Sequence, residues 1–444
     1  MKTIDIDFYP EEPIGVIKKI NGGNLAPPVL NEKAGGNIRE SFAALNMPLT
    51  RLHDAPLENA GYRLVDIPMI FPHFHADEND HRNYYFCQTD DYVSNCIRTG
   101  TDIYYRLGIS IEHGVNKYFT DPPEDVKKWI NVCDHIIRHY TQGWADGFHF
   151  KIKYWEIWNE PEIADADGHK LMWNASIEEF NRFYVHVAKE LKHRFPLLCF
   201  GGPSHCGYGS VSDDFIDYCA MNNAPLDFYS CHCYSADPHG KIIDMPEKIR
   251  IKLDSAGYRN SAVHINEWHY FPGDWKRMRN DHYYRKSILE EIKGIHSAAF
   301  LCAVLSQWQD THLDMACYYT ATATMWGLYE TSSSMPTKSY YGMKAFGEIV
   351  RYRRRLKIIS KSPGVTVLAG QDHHGKHAML ISCFKTGSCS LNIRYIAAAC
   401  PATAQVFMLD NEHDLKKVND LSIDNSGLSI KLCSDSGVVL VISD

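Results

Sequence analysis

The sequence predicts an α/β chain in which a (β/α)8 TIM barrel, residues 9–357, carries the chemistry. A C-terminal antiparallel β-sandwich, residues 358–444, follows it, with a short strand at 2–8 joining its edge. Three observations carry this expectation. Eight apolar strand segments, near residues 16, 49, 103, 152, 198, 227, 262 and 315, are each followed by a helical pattern. Strands alternating with helices pair in parallel through right-handed crossovers. After residue 358 the pattern changes to short strands at 365–368, 377–384, 390–395, 404–409, 428–432 and 438–442, separated by Gly, Asp, Asn and Ser turns, which is the spacing of a sandwich. The 444 residues leave room for a barrel of roughly 250 residues or more together with a second domain.

In order, residues 16–24 read as a strand closing in the Gly-rich turn Asn21-Gly22-Gly23-Asn24, and 37–45 as a helix. Residues 49–53 form a short strand that stops before Pro56. Residues 57–87 are irregular and rich in His, Asp, Pro and aromatics; a connection this long is usually functional or disordered, and its aromatics argue against disorder. A helix at 90–99 is closed by Gly100, a strand at 103–111 ends in Glu112-His113, and Pro122-Pro123 opens a helix with apolar residues every three to four positions from Val126 to Tyr140. The strand at 152–158 then stops at Asn159-Glu160-Pro161, since Pro161 cannot donate to a ladder. Ser176 and Glu179 form a capping-box pattern before the next helix. Strands at 198–201, 227–234, 262–265 and 315–319 alternate with helices at 215–221, 246–255, 288–307 and 339–354, with Pro246 suited to a first helical position.

Composition excludes several classes. The net charge of −8 gives no basic face for nucleic acid. No apolar run approaches 18 residues, so no membrane span is expected. The alternating start Met1-Lys2-Thr3-Ile4-Asp5-Ile6-Asp7 has no signal-peptide core. The 14 Cys are scattered, several of them in apolar segments, as expected of reduced thiols in a cytoplasmic protein. Cys231-His232-Cys233 lacks a second Cys pair at metal spacing, so no metal and no organic cofactor is expected.

In a parallel barrel, chemistry sits at the carboxyl ends of the strands. Two carboxylates stand there in matching context, Asn159-Glu160 after strand four and Asn266-Glu267 after strand seven. Glycoside hydrolysis needs such a pair: one acid protonated near neutral pH, and one ionised to attack the anomeric carbon or activate water.

Trp155-Glu156-Ile157-Trp158-Asn159-Glu160-Pro161-Glu162 together with Ile265-Asn266-Glu267-Trp268 resembles the retaining glycosidases of the large α/β-barrel clan, and most closely glycoside hydrolase family 39, the β-xylosidase and α-L-iduronidase family. The likeness extends to Asn21-Gly22-Gly23-Asn24, Arg51-Leu52-His53-Asp54, Phe200-Gly201-Gly202-Pro203 and Asp227–Tyr234. The resemblance implies that Glu160 is the acid/base and Glu267 the nucleophile. It implies that Asn159 bonds a sugar hydroxyl, that Arg51 keeps Glu267 ionised, and that His232 and Tyr234 line the pocket. Members of the clan usually carry a Trp platform at the end of strand eight; here Tyr319 or Trp326 is expected to take that place. Trp268, His53, Asp54, His75, Asp77, Glu112 and His113 are further polar or aromatic candidates near the mouth.

The expected activity is retaining hydrolysis of terminal sugars from oligosaccharides or glycosides. β-Xylosides come first, and α-L-arabinofuranosides or other glycosides of the clan second. A non-catalytic carbohydrate-binding protein on the same scaffold is the rival. Oligosaccharide or glycoside is the only partner expected, with neither nucleic acid nor membrane; monomer and homo-oligomer both stay open.

Overall fold

A computed structural model describes residues 2–31, 35–53, 63–112, 114–165, 167–397, 401–423 and 427–443. Eight parallel strands close into a barrel in chain order: Asn21–Asn24, Leu49–Leu52, Asp102–Leu107, Tyr154–Ile157, Cys199–His205, Phe228–Ser235, Ala262–Tyr270 and Met315–Tyr318. They are called strands one to eight below. The first pairs with the eighth through Asn21–Ala316, Gly22–Cys317 and Gly23–Tyr318, which shuts the ring.

The period of two sorts each strand's side chains. In strand six Phe228, Ser230, His232 and Tyr234 point into the barrel, while Tyr229, Cys231 and Cys233 point outward into the helical shell. The interior is therefore tiered. Leu49, Tyr104, Phe228, Met315 and Cys317 make an apolar floor. Above it lies a polar layer in which Tyr104 and Ser230 donate to Glu156 Oε1 at 3.2 and 2.8 Å. The strand ends form the top.

Two register shifts re-aim this alternation. Cys231 pairs with Ile265 but His232 pairs with Glu267, so Asn266 is an extra residue in strand seven. Pro203 pairs with Ser230 but His205 pairs with Cys231, so Ser204 is an extra residue in strand five. A bulge turns a side chain that strict alternation would point outward. Both Asn266 and Glu267 consequently face inward, and Trp268 faces out.

The second sheet has nine strands in the order Asp414–Ser422, Thr403–Leu409, Gly437–Ser443, His377–Cys383, Val365–Gln371, Arg354–Ser360, Lys2–Val16, Cys389–Tyr395 and Leu428–Leu432. All pairs are antiparallel except Lys2–Val16 with Cys389–Tyr395, which run parallel. The amino-terminal strand is longer than residues 2–8, because Tyr9 to Val16 pair with Lys357 to Arg354. Residues on both sides of positions 9 and 357 thus belong to one antiparallel ladder. The sheet curls around its own core of Ile4, Ile6, Phe8, Leu391, Ile430 and Val441 among others. From its other face Leu368, Ala378, Leu380, Val438 and Leu440 join the barrel's core, against the helix Ile295–Gln307.

The expected helix at 288–307 is two helices, His282–Glu291 and Ile295–Gln307, separated at Gly294. Pro246 lies inside the helix Lys241–Ser255 rather than at its start. The capping box forms, with Ser176 N–H donating to Glu179 and Glu179 N–H to Ser176 Oγ at 3.1 and 3.2 Å. No helix among the described residues is long and apolar enough to cross a membrane.

Candidate active site

Arg51 organises the top of the barrel from inside strand two. Its side chain is fully buried, and all five guanidinium N–H groups have acceptors. Nε donates to Glu156 Oε2 at 2.6 Å. Nη1 donates to Glu267 Oε1 at 2.8 Å and Asn24 Oδ1 at 3.2 Å. Nη2 donates to Asn159 Oδ1 at 2.6 Å and Ser204 Oγ at 2.9 Å. Burial opposes the cation, but Glu156 and Glu267 more than offset it and hold the guanidinium charged. A buried charge is tolerable when paired and fully hydrogen-bonded in this way.

Glu160 stands just past strand four on strained backbone. Trp158 and Glu160 have φ of 74° and 43°, and Ser204 opposite them has 63°. Non-glycine residues are uncommon there and cost on the order of 1–3 kcal/mol each when sparsely populated, a cost that recurs at functional sites. The Glu160 N–H donates to the Ser204 carbonyl at 3.0 Å, which fixes the turn. Its Oε1 lies 2.7 Å from His232 Nδ1, and the Cys206 thiol lies close enough to favour its ionised form. Burial pushes the Glu160 carboxyl up to about 7, against the pull of Cys206 and Arg51.

Glu267 is surrounded by donors. Besides Arg51, the Tyr234 hydroxyl donates to Oε2 at 3.2 Å, His232 Nδ1 lies 3.5 Å from Oε2, and His53 Nε2 lies 4.0 Å from Oε1. Burial raises its carboxyl as well, with His232 and Arg51 pulling it down. Glu267 has a direct cation–carboxylate contact that Glu160 lacks. One oxygen of Glu160 and one of Glu267 lie within 4.8 Å of each other. Burial pushes His232 down to about 4, so its contact with Glu160 is a neutral hydrogen bond. The arrangement sets a carboxyl that burial pushes up to about 7 opposite one that burial raises while Arg51 and His232 pull it back, facing each other across a narrow gap.

A sequence model of glycosyl hydrolases family 39 matches residues 72–353, well over half of the 444. The chain belongs to glycosyl hydrolases family 39. It is similar to a protein named Beta-xylosidase from Geobacillus stearothermophilus, 27% identical over 225 residues, or 45% of this chain and 39% of that one. A Beta-xylosidase from Caldicellulosiruptor saccharolyticus is 22% identical over 267 residues, 56% of this chain and 52% of that one. The chain thus aligns with about half or less of each of these relatives. The crystal structure of a glucosidase from Croceicoccus marinus superposes with a TM-score of 0.78 over 100% of both chains at 20% identity, a likeness of fold.

In this family 39 protein the barrel brings together Arg51, His53, Asn159, Glu160, His232, Tyr234 and Glu267 from four different strands or strand ends. Tyr319 and Trp326 lie beside them: Tyr319 is close enough to influence the Tyr234 hydroxyl, and the Trp326 ring is 6.1 Å from the Tyr234 ring. Trp268 is not in the pocket. It is fully buried behind strand seven, edge-on to Trp308 and Tyr318 at 4.9 and 5.2 Å, because alternation turns the residue after Glu267 outward. His75 is exposed beside Glu124 at 4.0 Å, and Asp77 accepts from its own loop's Asn79 N–H. Glu112 is buried but occupied, receiving Arg63 Nη1 at 3.2 Å and the Tyr118 N–H at 2.6 Å; it ties the segments after strands two and three. Asp54 and His113 lie outside the described residues.

The sequence reading gave no role to Glu156, Asn266, Ser204, Cys206 or Trp275. A glutamate inside an otherwise apolar strand was the available signal for Glu156, since a buried charge requires a partner. Trp275 follows strand seven, stacks on Phe271 at 4.0 Å and meets the Tyr234 ring edge-on at 5.5 Å while staying exposed. It adds an aromatic wall that nothing in the local sequence distinguishes from a core Trp.

Proposed function

We propose that this chain is a retaining O-glycoside hydrolase that removes terminal sugars, with β-xylosides as first substrates. The approach of Glu160 and Glu267 to within 4.8 Å carries the reading. Retaining enzymes hold their carboxyl groups about 5–5.5 Å apart, whereas inverting ones leave roughly 6.5–9.5 Å for a water. Glu160 gives its proton to the leaving oxygen while Glu267 attacks the anomeric carbon, forming a glycosyl ester. Glu160, now a carboxylate, then takes a proton from water, which displaces Glu267. Arg51 and Tyr234 stabilise Glu267 as the departing carboxylate. Asn159, its Oδ1 held by Arg51 at 2.6 Å, presents its amide N–H2 to the sugar hydroxyl beside the anomeric carbon. Because the first step needs protonated Glu160, the rate falls as pH rises through about 7.

The names of two relatives support β-xylosides as the first sugar. The Arg63–Glu112 bond across the rim at 3.2 Å supports a mouth restricted on that side, as removal of terminal units requires. The thirteen described cysteines are all free, which supports a reducing, intracellular compartment. An aryl-glycoside panel of xylosides, arabinofuranosides and glucosides tests the reading. Glu160→Ala loses about 10²–10⁴-fold on poor leaving groups, far less on good ones, and azide restores turnover. Equal loss across leaving groups removes Glu160 from the role. Binding without turnover of any sugar leaves the carbohydrate-binding rival.

A further inference from the structure

Ser204 is the extra residue of strand five, fully buried, with its φ of 63° in the left-handed region. Few serines adopt that backbone, and this one is held there from three sides. Its N–H donates to Ser230 Oγ at 3.0 Å, and its carbonyl accepts from the Glu160 N–H at 3.0 Å. Its hydroxyl sits among Arg51 Nη2 at 2.9 Å, Asn266 Nδ2 at 2.9 Å, Asn266 Oδ1 at 3.2 Å and His232 Nε2 at 2.7 Å.

Counting protons and lone pairs decides how these contacts are used. A hydroxyl accepts two hydrogen bonds and donates one. Arg51 has no acceptor capacity, so it must donate. The Asn266 amide nitrogen is identified by its second bond, to Glu156 Oε1 at 2.5 Å, so it also donates. Both Ser204 lone pairs are then filled. An imidazole N–H at Nε2 would be a third donor on a full oxygen. The Ser204 proton therefore goes to Nε2, the shorter of its two acceptors, and the imidazole proton is on Nδ1. There it lies 2.7 Å from Glu160 Oε1 and 3.5 Å from Glu267 Oε2.

We propose that Ser204 is a positioning residue that fixes His232 in its Nδ1–H tautomer, so that a relay running from Arg51 through Ser204 and His232 ends as a neutral N–H donor on Glu160. Two consequences follow. Oε1 of Glu160 is occupied as an acceptor, so the acid proton resides on Oε2, the oxygen left for the substrate. His232 is also prevented from taking that proton, since its Nδ1 lone pair is not available. The charged and titratable groups facing His232 and Glu160 are Arg51 and His53 from strand two, Glu156 and Glu162 from the strand-four segment, His205 and Cys206 from strand five, Tyr234 from strand six and Glu267 from strand seven. The catalytic consequence rests on the proposed glycosidase reading; the tautomer does not.

Ring-¹⁵N histidine labelling with long-range ¹H–¹⁵N correlation reads the tautomer directly, the His232 signals being assigned by their loss in His232→Asn. The wild type is expected to show a protonated Nδ1 and an unprotonated Nε2. Ser204→Ala and Ser204→Gly are expected to shift His232 toward the Nε2–H form, and Gly accommodates the positive φ, which separates loss of the hydroxyl from backbone strain. In pH–rate profiles both variants are expected to move the basic limb upward by about half a unit or more, because losing a donor to the ionised form raises a carboxyl. A wild-type spectrum with Nε2 protonated, or variants whose tautomer and basic limb both stay in place, overturns the proposal. If no glycoside is turned over, the spectra alone decide it, and it is the glycosidase reading that fails.

Discussion

Burial pushes the carboxyl of Glu160 up to about 7 and that of Glu162, two residues on, up to about 8, with the nearby Glu160 adding to the second shift. Glu162 Oε1 accepts the Cys206 N–H at 2.6 Å, while Oε2 has no protein partner. The folded chain therefore holds this proton more tightly than the unfolded chain does at about 4.5. That contribution favours folding at low pH and is lost as pH rises through about 8. Glu162→Gln keeps the acceptor and removes the ionisation, so it should stabilise the protein at pH 9 by on the order of 2–4 kcal/mol and by much less at pH 5. Thermal melts at the two pH values check this; an equal change at both contradicts it. At this scale interrupted apolar runs at strand ends marked Asn159, Glu160 and Glu267, and the family resemblance marked Arg51, His232 and Tyr234. It misassigned Trp268, because the side a residue faces after a bulge is a backbone property. It was silent on Ser204 and Cys206, whose roles come from partners distant in sequence, Ser230 and His232 for Ser204 and Glu160 and Glu162 for Cys206.

Elements place these residues through close approach between strands. A Cβ added to Gly201 would lie 2.0 Å from the Phe228 carbonyl oxygen of strand six, so strands five and six meet there only because a hydrogen stands in that position. Gly201→Ala forces them apart beneath Ser204 and His232. It should cost about 1–3 kcal/mol or more, as overpacking does, and lower turnover together with the melting temperature. Chemical denaturation and a rate assay test this, and an unchanged midpoint would show that the strands yield freely. Most strands were legible as apolar runs bounded by Gly, Pro or Asn, though strand seven runs on to Tyr270, well past the expected residue 265. Arg354–Ser360 and Asp414–Ser422 were missed. The adjacent charged pairs Arg354-Arg355 and Lys416-Lys417 break the period of two.

The whole molecule is joined through the helix Ile295–Gln307, which is buried along nearly its full length. A helix apolar all round must be covered on all sides; the barrel covers one side and Leu368, Ala378, Leu380, Val438 and Leu440 of the second sheet cover the other. Ser382 Oγ donates to the Ala299 carbonyl at 2.6 Å, and Arg355 pairs with Asp310 at 2.6 and 2.7 Å across the same junction. Leu380→Ala should cost about 2–5 kcal/mol and lower a single melting transition. Two separated transitions in calorimetry, with the barrel's unmoved, would mean that the sheet is only appended. The change of pattern near residue 358 made the two-part organisation readable in advance, but the parallel pairing of the amino-terminal strand was not, since no local signal names a partner almost 390 residues away. The barrel, its shared core and its bulges hold Glu160 and Glu267 face to face, and the proposed function gives them different roles. Incubation with an activated 2-fluoro-xyloside, followed by peptide mass analysis, tests that claim most directly. The account predicts one covalent sugar on Glu267 and its absence in Glu267→Gln. Turnover of xylosides without any label, or a label on Glu160, would contradict it.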